Sequence, residues 1–299
     1  MRVLITGGTG LLGTALAENL SDKHEIIIVS RNTQGGKTRF KMIPYDLIPE
    51  NINNDTAIIN LAGDNIGEGK WTPEKKRKII DSRLKTGKKI IDAIAESEDK
   101  PQVLIQASAV GYYGRSLEKT FKEESDPASQ SDFLADVCEQ WEESTANVSK
   151  YGVRRVVIRT GVVLSKKGGA LKELMLPFKM FAGGHIGSGK QWMSWIHIED
   201  TIRAIRFLME NDHARGAFNL VAPNPVRNHE FARALAEAMN RPAILPVPAF
   251  AVRMMLGEKA DYIVLEGQKV TPDRLETIGF SFKHPIIEGA LANLVNGKS

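Results

Sequence analysis

The sequence predicts an α/β fold in which a parallel sheet is covered by helices on both faces. Three observations carry that prediction. Short β-branched runs alternate with longer helical segments. Those runs are continuously apolar, as strands buried on both faces must be. A glycine-rich loop, Thr6-Gly7-Gly8-Thr9-Gly10-Leu11-Leu12-Gly13, joins the first run to the first helix.

The elements follow in order. Val3-Leu4-Ile5 opens as a strand, and Leu11 to Leu20 reads as the first helix. Glu25 to Val29 is a second strand, Phe40 to Pro44 a short third, and Thr56 to Leu61 a fourth. Thr72-Pro73-Glu74 starts a long helix running to about Glu96, since proline fits the first helical position. Gln102 to Ala107 is a fifth strand, a helix spans about Phe133 to Lys150, and Arg155 to Arg159 is a sixth strand. After Gly161 the rhythm changes: Ser165 to Trp195 is rich in glycine and aromatics. A helix from Asp200 to Glu210 and a strand near Ala217 to Val221 return to the main sheet, and prolines from Pro223 onward punctuate short helices. The expected organisation is a nucleotide-binding unit over 1–164 with 196–222 returning to it, and a smaller substrate-side unit over 165–195 and 223–299.

Bulk properties narrow the class. A chain of 299 residues with 42% hydrophobic and 25% charged residues is ordinary for a globular protein with a sizeable core. One cysteine, Cys138, excludes an internal disulfide and suits a reducing compartment. No apolar run nears the ~20 residues that span a bilayer, and strand residues begin at Val3, so the expectation is a soluble cytoplasmic protein without a leader. The net charge of +4 raises nucleic acid, but the densest basic run, Lys75-Lys76-Arg77-Lys78, lacks interleaved aromatics and reads as a solvated helix face. The expected partners are a small-molecule substrate and, as an open option, a second copy in a homodimer, with neither nucleic acid nor membrane.

The glycine loop carries the chemistry. Gly7 permits a tight turn, Gly10 lets backbone approach a pyrophosphate, and Gly13 lets the helix pack on the strand. Leu11 and Leu12 open a helix whose free N–H groups and positive dipole end suit phosphates. Placed between strand and helix, the loop predicts a Rossmann-type dinucleotide site. The end of the second strand chooses the cofactor. NAD binders place a carboxylate there for the ribose hydroxyls, whereas this chain has Ser30-Arg31 and no carboxylate before the Asn32 to Lys37 loop. A guanidinium and a hydroxyl suit a 2′-phosphate, so NADP is expected; the bland alternative is an exposed arginine at a strand end.

Further segments resemble the extended branch of the short-chain dehydrogenase/reductase superfamily. Tyr45-Asp46-Leu47 is similar to its Asp-Leu pair near adenine, Asn60-Leu61-Ala62-Gly63 to its fourth-strand end under ribose and nicotinamide, and Ser108 to Gly114 to its fifth-strand segment ending in Tyr-Gly. Phe133-Leu134-Ala135-Asp136-Val137-Cys138 with Trp141-Glu142, Arg159 to Leu164, Trp195 to Asp200 and Leu265 to Val270 resemble its atypical, epimerase-like subfamily, which carries a small C-terminal domain of unknown function. By that resemblance Ser30, Arg31, Leu61, Ala62, Arg83 and Val162 contact NADP.

The same resemblance exposes a departure. Active members transfer a proton with a Tyr-x-x-x-Lys pair and a strand-end serine or threonine, the lysine lowering the phenol pKa. Counting from Tyr113-Gly114 puts those positions at Leu134, Cys138 and Ala109, while Glu142 keeps the register. Candidate substitutes are Tyr112 and Tyr113, either donors or an aromatic wall over the nicotinamide, and Ser108, either a substrate contact or a strand-end serine bonding nearby backbone. Cys138 reads as a small buried helix residue ahead of an acid, His197 as hydrogen-bonded packing ahead of catalysis, and Asp64, facing the site past the fourth strand, as a site carboxylate or a turn or cap. Gly183 to Gly189 with Gln191, Trp192 and Trp195 are candidates to cover the pocket. Six scattered histidines and one cysteine lack metal-ligand spacing. Two readings remain: an NADP-dependent oxidoreductase or epimerase with a nonstandard acid, and a non-catalytic NADP sensor.

Overall fold

The computed structural model describes residues 1–33 and 38–297. Seven strands form the central sheet: β1 (Arg2–Thr6), β2 (Glu25–Val29), β3 (Lys41–Ile43), β4 (Thr56–Asn60), β5 (Val103–Ala109), β6 (Arg154–Thr160) and β7 (Gly216–Leu220). They lie in the order β3-β2-β1-β4-β5-β6-β7, every pair parallel. The order reverses between β1 and β4, and open sheets of this kind hold ligands outside the carboxyl ends of the strands at that point.

Alternation along the strands fills both faces. Val3, Ile5, Ile26, Ile28, Ala57 and Ile59 share a core with Leu16 and Leu20 of α1 (Leu11–Leu20) and with Ile205 and Leu208 of the helix Ile198–Glu210. Leu4, Ile27, Val29 and Ile58 point the other way, onto Ile90 and Ile94 of α2 (Pro73–Glu96). The expected three-layer α/β fold is the observed one. Thr72 caps α2 by accepting from the Lys75 N–H, as its Thr-Pro-Glu start implies.

The helix expected over Phe133 to Lys150 is shorter. As α3 it covers Phe133–Glu143, and a 3-10 segment follows over Ala146–Tyr151. Arg155 on β6 explains the stop, because its guanidinium donates to the terminal Glu142 carbonyl and to the Thr145 hydroxyl. A second apolar core joins α4 (Ala170–Lys179), α6 (Asn228–Met239) and α9 (Ile287–Asn296) around Leu164, Trp195 and Phe231. Between these run α5 (Ile198–Glu210), α7 (Ala249–Leu256) and α8 (Asp273–Thr277). Trp195 is fully buried in this core, its indole N–H donating to the Asn224 carbonyl, so it fills the interior instead of covering a pocket.

Candidate dinucleotide site

The parallel topology brings the predicted residues to one edge. Gly7 to Gly13 follow β1, Ser30 and Arg31 follow β2, Asp46 and Leu47 form a 3-10 turn after β3, and Leu61 to Gly63 follow β4. Ser108 to Tyr113 end β5, and Val162 begins a short strand just past β6. Sequence separations of up to 155 residues thus collapse onto the carboxyl ends of six neighbouring strands.

At the loop, Gly7 holds φ +70°, and a β-carbon there would sit 2.8 Å from the Leu61 carbonyl. A β-carbon on Gly13 would lie 2.3 Å from the Gly7 oxygen, so loop and helix meet backbone to backbone. At Gly10, chain neighbours aside, the only atom of the described residues within 4 Å of such a carbon is the Gly7 oxygen, at 3.3 Å, which leaves the outer side of the loop open. Gly10 is the N-cap of α1 without a side-chain cap, and no acid stands in the first turn. The orphan N–H groups are therefore available to an anion, and the cradle fits a pyrophosphate.

The floor beside it is polar and ordered. Thr6 donates to the Asn60 side-chain oxygen at 2.6 Å, and Asn60 donates to Gln106 at 2.9 Å, a buried chain across β1, β4 and β5. Arg83 reaches up from α2 under Gly63, whose β-carbon would stand 2.9 Å from the guanidinium carbon. Its Nη1 donates to the Ile79 and Asp64 carbonyls, and the group lies 4.6 Å from the Trp141 ring centroid. Burial lowers the pKa of Arg83, and its buried Nε has no partner among the described residues. Ser30 is tied locally to Asn32, while Arg31 is exposed and forms no ion pair with a described residue. The rest of the expected Asn32 to Lys37 loop, residues 34–37, lies outside the described residues.

The departure from the superfamily pattern is visible in three dimensions. Leu134 belongs to an apolar cluster with Trp71, Ile79 and Val137. Cys138 is buried beneath Ser108 and Ala109, and burial pushes its thiol up to about 11. Gly111 packs onto this helix, a β-carbon there lying 3.3 Å from the Leu134 β-carbon.

Around that gap runs a buried network. Ser108 donates to Glu142 at 2.7 Å, and Arg159 grips both Glu142 oxygens at 2.9 and 3.0 Å. Burial would lower the Arg159 pKa, but the bidentate Glu142 outweighs it and holds the guanidinium charged. Arg159 also donates to the Tyr113 hydroxyl at 3.0 Å, and Tyr113 donates to Asn219 at 2.7 Å. Tyr113 is 2% exposed, and burial pushes its phenol up to about 12. Tyr112 is half-buried, with the Arg159 guanidinium 3.5 Å from its ring centroid. Burial raises its pKa and Arg159 opposes the rise. Arg159 and Asn219 were missed as site residues. An arginine ending the apolar run Val156-Val157-Ile158 needs a buried acid, which was the signal available.

Other sequence candidates have structural partners. Asp64 pairs with Lys75 and, at 3.3 Å, with Lys78; burial would raise its pKa, but these two lysines lower it. The basic run is thus only partly a solvated face, since Lys76 also pairs with Glu258 at 2.6 Å. His197 caps α5 by accepting from the Glu199 N–H at 3.0 Å, and its ring stacks 3.8 Å from His284. Ligand atoms of His197, Glu199 and His284 lie within 4.8 Å of one another. Because Nδ1 of His197 accepts a hydrogen bond, its Nε2 carries the proton and offers no lone pair, and Lys283 already neutralises Glu199 at 2.6 Å.

Sheet order, glycine cradle and strand-end residues define a Rossmann-type dinucleotide-binding protein. Residues 3–220 match the NAD dependent epimerase/dehydratase family, and residues 247–294 match a domain of unknown function, DUF1731. The chain belongs to the NAD-dependent epimerase/dehydratase family. It is 42% identical to the chloroplastic epimerase family protein SDR39U1 homolog of Arabidopsis thaliana, over 97% of this chain and 86% of that protein. It is 40% identical to epimerase family protein YfhF of Bacillus subtilis, over 99% and 98%. Human epimerase family protein SDR39U1, crystallised with NADPH, superposes with a TM-score of 0.91 at 34% identity, all of both chains being covered.

Proposed function

We propose that the protein is an NADPH-dependent oxidoreductase or epimerase-like enzyme of a small metabolite, with a proton donor other than the superfamily's tyrosine and lysine. Gly7, Gly10, Leu11, Leu12 and Gly13 would hold the pyrophosphate, Ser30 and Arg31 the 2′-phosphate, and Asp46 and Leu47 the adenine side. Leu61, Ala62, Gly63, Arg83 and Val162 would hold the rest. The exposed Arg31 just past β2, without an ion-pair partner among the described residues, supports NADP over NAD, as does the NADPH in the human relative. Residues 165–195 and 223–299 would form the substrate side.

One observation carries the catalytic reading: Tyr112 stands at the carboxyl end of β5 with a charged guanidinium against its ring. Of the three candidates, Tyr113 and Ser108 already spend their hydroxyl protons on Asn219 and Glu142. Bound NADPH supplies a hydride. Tyr112 would hold the proton for the substrate oxygen, its raised pKa keeping it protonated at neutral pH. Arg159, fixed by Glu142, would stabilise the phenolate left behind.

The sensing alternative draws on Leu134 and Cys138, which remove the usual proton-transfer pair from an otherwise complete cofactor site. A metabolite screen by thermal shift with NADPH present tests both readings. A stabilising metabolite that is turned over by the wild type and not by Tyr112→Phe supports the enzyme. No turnover, with NADPH and NADP⁺ stabilising different conformations, replaces it with the sensor.

A further inference from the structure

Residues 258–266 of the C-terminal unit are tied to the loops that follow β4 and β5. Lys259 donates to the Gly67 and Gly69 carbonyls at 2.7 and 2.8 Å, and Glu258 pairs with Lys76 on α2 at 2.6 Å. At the other end Arg115, in the loop after β5, pairs with Glu266 at 2.8 Å and with Asp132, the N-cap of α3, at 3.0 Å. Gln191 adds a hydrogen bond to the Val264 carbonyl at 3.1 Å. This strap therefore lies at the carboxyl edge of the sheet, where open sheets hold their ligands. Between its ties runs a π-helical turn, Asp261–Leu265, a rare form found frequently at functional sites.

Tyr262 stands in that turn. Its ring lies 5.5 Å from Trp71, which lies 5.0 Å from Phe133, and it joins the apolar cluster that holds Leu134. Leu134 in turn borders Gly111, the residue before Tyr112. The Arg115 guanidinium lies 4.3 Å from the Tyr262 ring centroid, and its two acids neutralise it, so it steadies the ring without presenting a free charge. Tyr262 is half-buried, and its hydroxyl is neither enclosed nor hydrogen-bonded to a described residue.

A carbonyl oxygen has two lone pairs, and Tyr112 would meet one of them. Ser108 and Tyr113 already give their protons to Glu142 and Asn219, so neither is free for the second. We propose that Tyr262 is a substrate-binding residue whose hydroxyl donates the second hydrogen bond to the oxygen that Tyr112 addresses. The C-terminal domain of unknown function, which supplies Tyr262, thereby completes the site. The proposal rests on the site at Tyr112 proposed above and does not require turnover.

The test is fluorine NMR of the full-length protein labelled with meta-fluorotyrosine and saturated with NADP⁺, which cannot reduce a carbonyl. The probes are para-nitrobenzaldehyde and cyclohexanone, one aromatic carbonyl and one aliphatic. The Tyr112 and Tyr262 signals, each identified by its loss in the Phe variant, are expected to shift together as a probe is added. Tyr151, which precedes β6 at the opposite edge of the sheet, is expected to stay still. Tyr262→Phe keeps the ring against Trp71 and deletes only the hydroxyl. Circular dichroism and NADPH titration should therefore be unchanged, while probe affinity falls about threefold to tenfold, the worth of one hydrogen bond. An unmoved Tyr262 signal, or full probe affinity in the folded Tyr262→Phe protein, would overturn the proposal. NADPH oxidation, followed separately, distinguishes the two readings. Shifts at Tyr262 without turnover by the wild type would sink the enzymatic reading and support Tyr262 as the ligand contact of a binding protein. Turnover with a KM that Tyr262→Phe leaves unchanged would keep the enzyme and remove Tyr262 from its site.

Discussion

Arg31 is the residue on which cofactor choice rests, because it ends β2 exposed and without an ion-pair partner among the described residues. Arg31→Asp is expected to weaken NADPH by about 1.5–3 kcal/mol, the worth of hydrogen bonds to charged groups, and to leave NADH nearly unchanged. Parallel fluorescence titrations of the two cofactors check this; equal losses would remove Arg31 from the 2′-phosphate. The two adjacent tyrosines should separate in kind. Tyr113→Phe breaks buried hydrogen bonds to Asn219 and Arg159 and is expected to cost about 1–3 kcal/mol in urea unfolding. Tyr112→Phe should leave stability within about 0.5 kcal/mol and, if the chain turns over a substrate, lower kcat by about 10²–10⁴. A titration effect belongs to His197, whose pKa burial lowers from 6.5 to about 4. The unfolded chain binds that proton more readily, so stability is full above pH 6.5 and falls as pH drops toward 4, by roughly 3 kcal/mol in all. His197→Asn keeps an acceptor for the Glu199 N–H and removes the titration, so its unfolding free energy should fall less between pH 7 and 4.5. Parallel curves for both proteins would assign the acid sensitivity elsewhere.

At the scale of elements, the loop and α1 act as one unit. Gly10→Val places its branches on the open side of the cradle and is expected to abolish binding of both cofactors while the fold survives, as calorimetric titration with a thermal melt would show. Gly13→Ala differs, because its β-carbon would press on the Gly7 oxygen at 2.3 Å, so it should destabilise the protein itself. A Gly13→Ala melt indistinguishable from wild type would mean that loop and helix shift apart freely. Helix starts were legible because Thr72 and Pro73 state their roles locally. The end of α3 was not, since the stopping group is Arg155 on β6, whose side chain reaches back to Glu142 and Thr145.

For the whole molecule, the C-terminal segment is bound to the loop that follows β4. Lys259 is buried and donates to the Gly67 and Gly69 carbonyls at 2.7 and 2.8 Å, and Glu258 pairs with Lys76. Lys259→Met is expected to cost about 1.5–3 kcal/mol, the range for hydrogen bonds from a charged group. Urea unfolding measures it, and hydrogen exchange should rise first at residues 64–71; unchanged exchange there would show that the loop holds itself.

Local pattern determined the strand and helix periods, the glycine loop, the Ser30-Arg31 strand end and the loss of the tyrosine–lysine pair, because each is written in consecutive residues. Tertiary structure alone decided that Tyr113 is committed to Asn219, that Trp195 fills a core, and that Glu142 and Arg159 pair beneath Tyr112. The reason is physical: backbone preference and periodicity act over a few residues, whereas a buried hydroxyl or charge takes whichever partner the packed chain brings within hydrogen-bonding distance.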